Sequence, residues 1–212
     1  DQAIATLELR LGDRVEFGPE RGERLELAEL REFAGMTVEP WDLSFLLEKL
    51  KQQKYSISNE ALRQYFPAGT VMRGLFELAS KLYGVSFSID PGVVTWHEDA
   101  LYYRVHDRDG AEVGGFYTDL YARGGKRTGA WVDDCVNRKN LSGSPTQPVG
   151  FLVCNFSPPD DSSPSLLTHD DVVTVFHEFG HMLHHLLTRI GYPSIAGING
   201  VPWDAVELPS QF

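Results

Sequence analysis

Apolar residues recur at helical spacing up to about residue 90, alternate from there to about residue 156, and return to helical spacing after Thr168. In the first stretch, Leu25, Leu27 and Leu30 precede Phe33 with charges between them, and Gly35 follows, which predicts a helix over 22–33. Leu43, Leu46, Leu47 and Leu50 predict a second helix over 41–51, and a shorter amphipathic run goes from Glu60 to about Pro67. Val71, Leu75, Phe76, Leu78 and Leu82 predict another over 71–83, closed by Gly84. Such stripes are read as core-facing surfaces, and none carries chemistry by itself.

From residue 85 the pattern suits strands: 93–97, 100–106, 113–120, 130–136 and 149–156, all rich in β-branched and aromatic residues. Asp107-Arg108-Asp109-Gly110 is turn chemistry between two of them. The connections are too short for crossover helices, so a largely antiparallel sheet is expected. The fold class that follows is α+β, mainly helical with a small sheet, divided into a helical segment (1–90) and a sheet plus final helix (91–212). The final helix has clear limits. Thr168 and Asp171 have the spacing of a capping box, and Gly191 with Pro193 marks a stop. Val172, Val175, Phe176, Phe179, Leu183, Leu186 and Ile190 form its apolar stripe, leaving His177 and His181 in another sector.

Composition narrows the partners. The 212 residues are 42% hydrophobic and 23% charged, ordinary for a globular chain. A formal net charge of −11 argues against a nucleic-acid or anionic-membrane surface as the main partner, since both need a basic face. No run reaches 18 apolar residues, and Asp1-Gln2-Ala3-Ile4 does not open a signal peptide. Cys135 and Cys154 lie in predicted strands and are expected to be reduced, mostly buried thiols of a cytoplasmic protein. The Gly124–Gly129 loop lacks the spacing of a phosphate cradle, and there is no G-x-S-x-G elbow.

The chemistry lies in His177-Glu178-Phe179-Gly180-His181. Four residues turn a helix by about 400° and raise it by about 6 Å, so two histidines at that spacing stand one above the other. Their imidazoles can share a tetrahedral zinc ion, and the glutamate between them can take a proton from water at the metal. A catalytic zinc takes three protein ligands and leaves one position open. After His181 the carboxylate candidates are Asp204 and Glu207, and the spacing does not choose between them. Asp170, Asp171 and Asp204 are candidates to orient an imidazole through its free N–H. His184 and His185 are expected to be solvent-facing or to support the ligands from behind. Gly180 costs about 1 kcal/mol relative to Ala in a helix, which suggests close approach of another backbone or of a substrate.

The stretch 177–184, with Val201-Pro202-Trp203-Asp204-Ala205-Val206-Glu207-Leu208-Pro209-Ser210-Gln211, resembles the thimet oligopeptidase family of zinc metallopeptidases. Pro40-Trp41-Asp42, Tyr55-Ser56-Ile57-Ser58, Tyr65-Phe66-Pro67, Asp119-Leu120-Tyr121-Ala122-Arg123 and Gly129-Ala130-Trp131-Val132-Asp133-Asp134-Cys135 agree with it. The resemblance implies a zincin-like metallo-endopeptidase that cuts short peptides, with one Zn(2+) ion. It implies His177, His181 and Glu207 as metal ligands and Glu178 as the catalytic glutamate. Family members continue through a long helical stretch carrying a His- and Tyr-containing loop. The resemblance therefore implies a fragment, the N-terminal part of the catalytic domain, on which a further helical part packs; the fragment alone is expected to bind metal and peptide with reduced or no cleavage.

Overall fold

The computed structural model describes residues 14–15, 25–56, 58–140, 143 and 145–211. Residues 22–24 of the first predicted helix, and Leu141, Ser142 and Ser144 between the last two predicted strands, lie outside the described residues. The chain divides into two compact units, residues 1–62 and 63–212.

In the first unit, strands β1 (Arg14–Val15) and β2 (Leu25–Glu26) pair antiparallel. Helix α1 (Leu27–Ala34) follows, then α2 (Leu43–Tyr55), while α3 (Asn59–Arg63) runs across the unit boundary. Leu30, Val38, Leu47 and Leu50 form a small core, flanked by Phe33, Leu43 and Leu46. All but Val38 are positions the helical spacing marks, and burying such a side chain stabilises by roughly 1.5–3 kcal/mol; Leu25 and Glu26, read as part of the first helix, instead pair with Val15 and Arg14 as a strand. The Glu48 carboxylate accepts from both the main-chain and side-chain nitrogens of Asn59, tying the start of α3 to the middle of α2.

The second unit holds the site. Its helix α4 (Ala68–Tyr83) ends at Gly84, whose φ of 70° is the left-handed conformation that closes a helix at little cost to glycine. Strands β3 (Ser86–Ile89), β4 (Leu101–His106), β5 (Glu112–Tyr121), β6 (Trp131–Val136) and β7 (Val149–Phe156) form one sheet in the order β3-β4-β5-β7-β6. The final helix, α5 (His169–Leu186), packs on it. The core between helices and sheet combines Met72 and Leu75 of α4, Phe116 and Leu152 of the central strands, and Val175, Phe179 and Met182 of α5. Phe76, Phe87, Phe116 and Phe179 meet with ring centroids 4.6–6.2 Å apart, so the residue after Glu178 is anchored in the aromatic centre of the core.

The α+β class stands. Three pairings in the five-stranded sheet are antiparallel, but β5 and β7 run parallel. The short connections require no helix because β6 itself makes the return: the chain leaves β5, runs back along β6 at the sheet edge, and turns into β7. The parallel pair is fastened at its C-terminal ends by Lys126. Its buried ammonium donates to the Asp119 carboxylate (2.8 Å) and to the carbonyls of Asp119, Tyr121 and Cys154 (2.6–2.9 Å). The Asp119 carboxylate also accepts from Trp96 Nε1 and twice from Arg123. Burial pushes the Asp119 carboxyl up, but these bonds outweigh it and hold it well below the usual carboxylate range.

Three further expectations need correction. The strand read over 93–97 is a bend; Asp90 accepts from the Gly92 N–H to open a turn, Val94 is exposed, and Trp96 is held by Asp119 instead of a ladder. The strand lies earlier, in the alternation Ser86-Phe87-Ser88-Ile89. Helix α5 ends at Leu186, before Gly191. Both cysteines are free, but only Cys154 is buried, its thiol pushed up to about 12 mainly by burial; Cys135 is exposed on β6. Among the described residues no helix is long and apolar enough to cross a membrane.

Candidate metal centre

The site begins with the placement of α5. The Thr168 hydroxyl accepts from the Asp171 N–H (3.0 Å), and the Asp171 carboxylate accepts from the Thr168 N–H (2.8 Å), completing the capping box. Just upstream, Leu167 N–H donates to the Phe66 carbonyl and Ala68 N–H to the Ser165 carbonyl, both at 2.8 Å, so α4 and α5 start side by side. At the other end His185 is fully buried. Its Nε2 lies 3.2 Å from the carbonyls of Val136 and Val149, and its one N–H there is shared between the end of β6 and the start of β7. The expectation of a solvent-facing or supporting role fails for His185: it pins the helix to the sheet. Gly114 and Gly150 let the helix lie close, since a Cβ at either would meet Leu186 or Met182.

Helix α5 then presents His177 and His181 away from the core, with ring centroids 5.0 Å apart. The segment after the 3-10 turn Pro193–Ile195 brings Glu207 back to them. Glu207 Oε2 lies 3.2 Å from His177 Nε2 and 3.0 Å from His181 Nε2. One ligand atom from each of the three residues falls within 4.8 Å of the others, the one such cluster among the described residues. Metal–ligand bonds of about 2.0–2.2 Å at tetrahedral angles put neighbouring donor atoms about 3.3–3.5 Å apart, so the two distances from Glu207 Oε2 lie only slightly below those a zinc ion would set. Two neutral imidazoles and one carboxylate also suit that ion chemically.

The open candidates are thereby separated. Glu207 meets the imidazoles, whereas Asp204 is exposed and makes no hydrogen bond to them among the described residues. Asp171 is committed to the cap, and among the described residues no hydrogen bond joins the Asp170 side chain to an imidazole. Glu178 is 8% exposed. Burial, with the Glu207 carboxylate adding to it, pushes the Glu178 carboxyl up to about 7. Burial lowers His181, only partly opposed by Glu207, which favours the neutral, metal-binding imidazole. At Glu207 burial acts upward, but the Ser210 hydroxyl and both imidazoles prevail and its carboxyl lies below the ordinary value. A cavity of about 860 Å³ between α4 and β3–β5 includes none of these four residues.

The model of Peptidase family M3 matches residues 19–212 of the chain. The chain belongs to peptidase family M3. It is 48% identical over 208 residues to Oligopeptidase A of Escherichia coli K12, covering 95% of this chain and 30% of that protein. Oligopeptidase A of Haemophilus influenzae is 50% identical over 198 residues, covering 91% and 29%. Dipeptidyl carboxypeptidase of Salmonella typhimurium is 39% identical over 181 residues, covering 85% and 26%. The chain thus spans about 30% of the length of the first of these M3 relatives. Two residues that hold the surrounding structure in place escape motif reading. Lys126 sits in a glycine-rich loop with no helical or strand period, and Ser210 follows Glu207 at a spacing whose meaning depends on a 3-10 turn (Pro209–Gln211).

Proposed function

We propose that this chain carries the metal-binding part of a zinc metallo-endopeptidase that hydrolyses short oligopeptides, with His177, His181 and Glu207 holding one Zn(2+) ion and Glu178 as general base. The convergence of three ligand atoms within 4.8 Å is the observation that carries the reading, and membership of family M3 supports it. The arrangement is zincin-like: the motif helix under a sheet whose edge strand, β6, offers its outer edge to an extended peptide by strand addition.

When bound, the ion supplies a Lewis acid that brings the pKa of water toward 7 and polarises a carbonyl. Glu178 accepts the proton that water gives up on attacking the scissile carbonyl. It then returns that proton to the leaving amine as the C–N bond breaks, so no covalent intermediate forms. The buried position that holds the Glu178 carboxyl near 7 without a cation suits a group that both takes and returns a proton; a nearby cation favours its charged form. We assign residues 91–212 to the N-terminal part of the catalytic domain of a cytoplasmic enzyme, with further helical structure packing on it.

A second reading follows from the chain spanning about 30% of the length of the relatives: metal and peptide bind without cleavage. Metal analysis combined with cleavage of a quenched fluorescent peptide, with and without chelator, separates the two. Glu178→Gln is expected to keep one zinc per chain and to lose cleavage by at least a hundredfold. An active Glu178→Gln protein overturns the assignment of the base; zinc binding without cleavage in the unaltered chain favours the second reading.

A further inference from the structure

The third ligand is an exposed glutamate on an irregular segment, with three side-chain torsions to fix. A side chain of that kind loses rotamer freedom when it is held, which weakens its hold on any metal it has to meet. Two features limit that loss. The Ser210 side chain is buried, and its oxygen lies 2.7 Å from the Glu207 carbonyl and 2.9 Å from Glu207 Oε2. Serine commonly donates to the carbonyl three residues back, and that contact alone would be a local turn bond. The second contact is different, because Oε2 is the atom that faces both imidazoles. The one hydroxyl proton, shared between these acceptors, ties the ligand oxygen to the backbone of its own segment.

Gly180 supplies the second feature. A Cβ built there would lie 2.3 Å from the Pro209 carbonyl oxygen and 2.7 Å from Ser210 Cα, both main-chain atoms that cannot swing aside. Gly180 is in a regular helix and has no positive φ to explain it. Its missing side chain is therefore room for the Pro209–Ser210 backbone.

We propose that Ser210 is a positioning residue for the third metal ligand, with the Gly180 notch setting how closely its segment approaches the helix. The proposal rests on the metal-site reading above. Zinc affinity, measured by calorimetric titration on the full chain, tests both, with circular dichroism reporting the fold of each variant. Glu207→Gln, which keeps both imidazoles, is expected to bind zinc at least tenfold more weakly but still measurably; Glu207→Gln binding zinc as tightly as the unaltered chain overturns that reading. Given a site, Ser210→Ala is expected to weaken zinc about tenfold, the lower end of what losing a hydrogen bond to a ligand costs. Ser210→Thr, which keeps the hydroxyl, restores most of it. In the Glu207→Gln background Ser210→Ala changes affinity less than twofold, because its effect passes through the carboxylate. Gly180→Ala keeps its helix content, since alanine favours helix, yet loses zinc affinity at least tenfold. A Ser210→Ala chain that binds like the unaltered one, an equal loss in both backgrounds, or a Gly180→Ala chain with undiminished affinity overturns the proposal.

Discussion

At Glu178 the same burial that suits proton transfer weakens the metal-free fold. Its carboxyl is raised from 4.5 to about 7, so the unfolded chain ionises first as pH rises. The stability linked to the protonated form is complete below about pH 4.5 and is lost as pH rises through about 7. Glu178→Gln removes that loss. The metal-free variant is expected to melt above the unaltered protein at pH 8 and close to it at pH 5, a difference on the order of 1–3 kcal/mol, read from thermal unfolding with chelator present. His181 acts in the opposite sense. Its imidazole is held below 6.5, so its contribution is present at higher pH and lost on acidification. The comparison with Glu178→Gln at matched pH isolates the carboxylate from that background.

At the scale of elements, the sheet and the motif helix are each fastened by one buried group near the ends of strands, Lys126 and His185. Lys126 joins the ends of β5 and β7, and Asp119 is its counter-charge. Lys126→Met leaves that carboxylate with Arg123 and Trp96 but no ammonium; breaking one side of a buried pair costs about 3–5 kcal/mol, checked by urea unfolding. Removing the cap is milder: Thr168→Ala is expected to cost about 1 kcal/mol. Much of this level was legible. Leucine spacing located α2, and the capping box was plain because both of its members are local; α1 was read too early, because Leu25 and Glu26 pair with Val15 and Arg14. The parallel β5–β7 pair was not, because nothing in 112–121 or 149–156 encodes which strand will stand beside it. The strand misread over 93–97 has the same origin: Val93, Val94 and Thr95 favour a strand, but the Asp90 turn and the Trp96–Asp119 bond prevail.

For the molecule as a whole, His177, Glu178 and His181 could be picked out from a four-residue spacing, since the helix alone brings the two imidazoles together. Glu207 could not be chosen over Asp204 by spacing, and the resemblance singled it out; the structure brings Glu207, not Asp204, to the imidazoles. Ser210 was invisible because its partner is determined by a turn. A bound ion would join α5 to the segment that follows it, so it should stabilise the whole unit. Zinc at a hundredfold above its dissociation constant is expected to add about 2.7 kcal/mol, lost on chelation and visible as a fall in melting temperature. Chelation should also speed proteolytic cutting between residues 187 and 206.

The paired starts of α4 and α5 join positions nearly one hundred residues apart, Pro67 with Leu166. Closing a flexible loop of that size costs on the order of 4 kcal/mol in chain entropy, and nothing local repays it early. The motif helix, moreover, is pinned by His185 to strand ends that exist only once β6 and β7 have paired. On this topology the sheet is expected to pair before the site assembles, so the approach of Glu207 to the two imidazoles would come late in the folding of this unit.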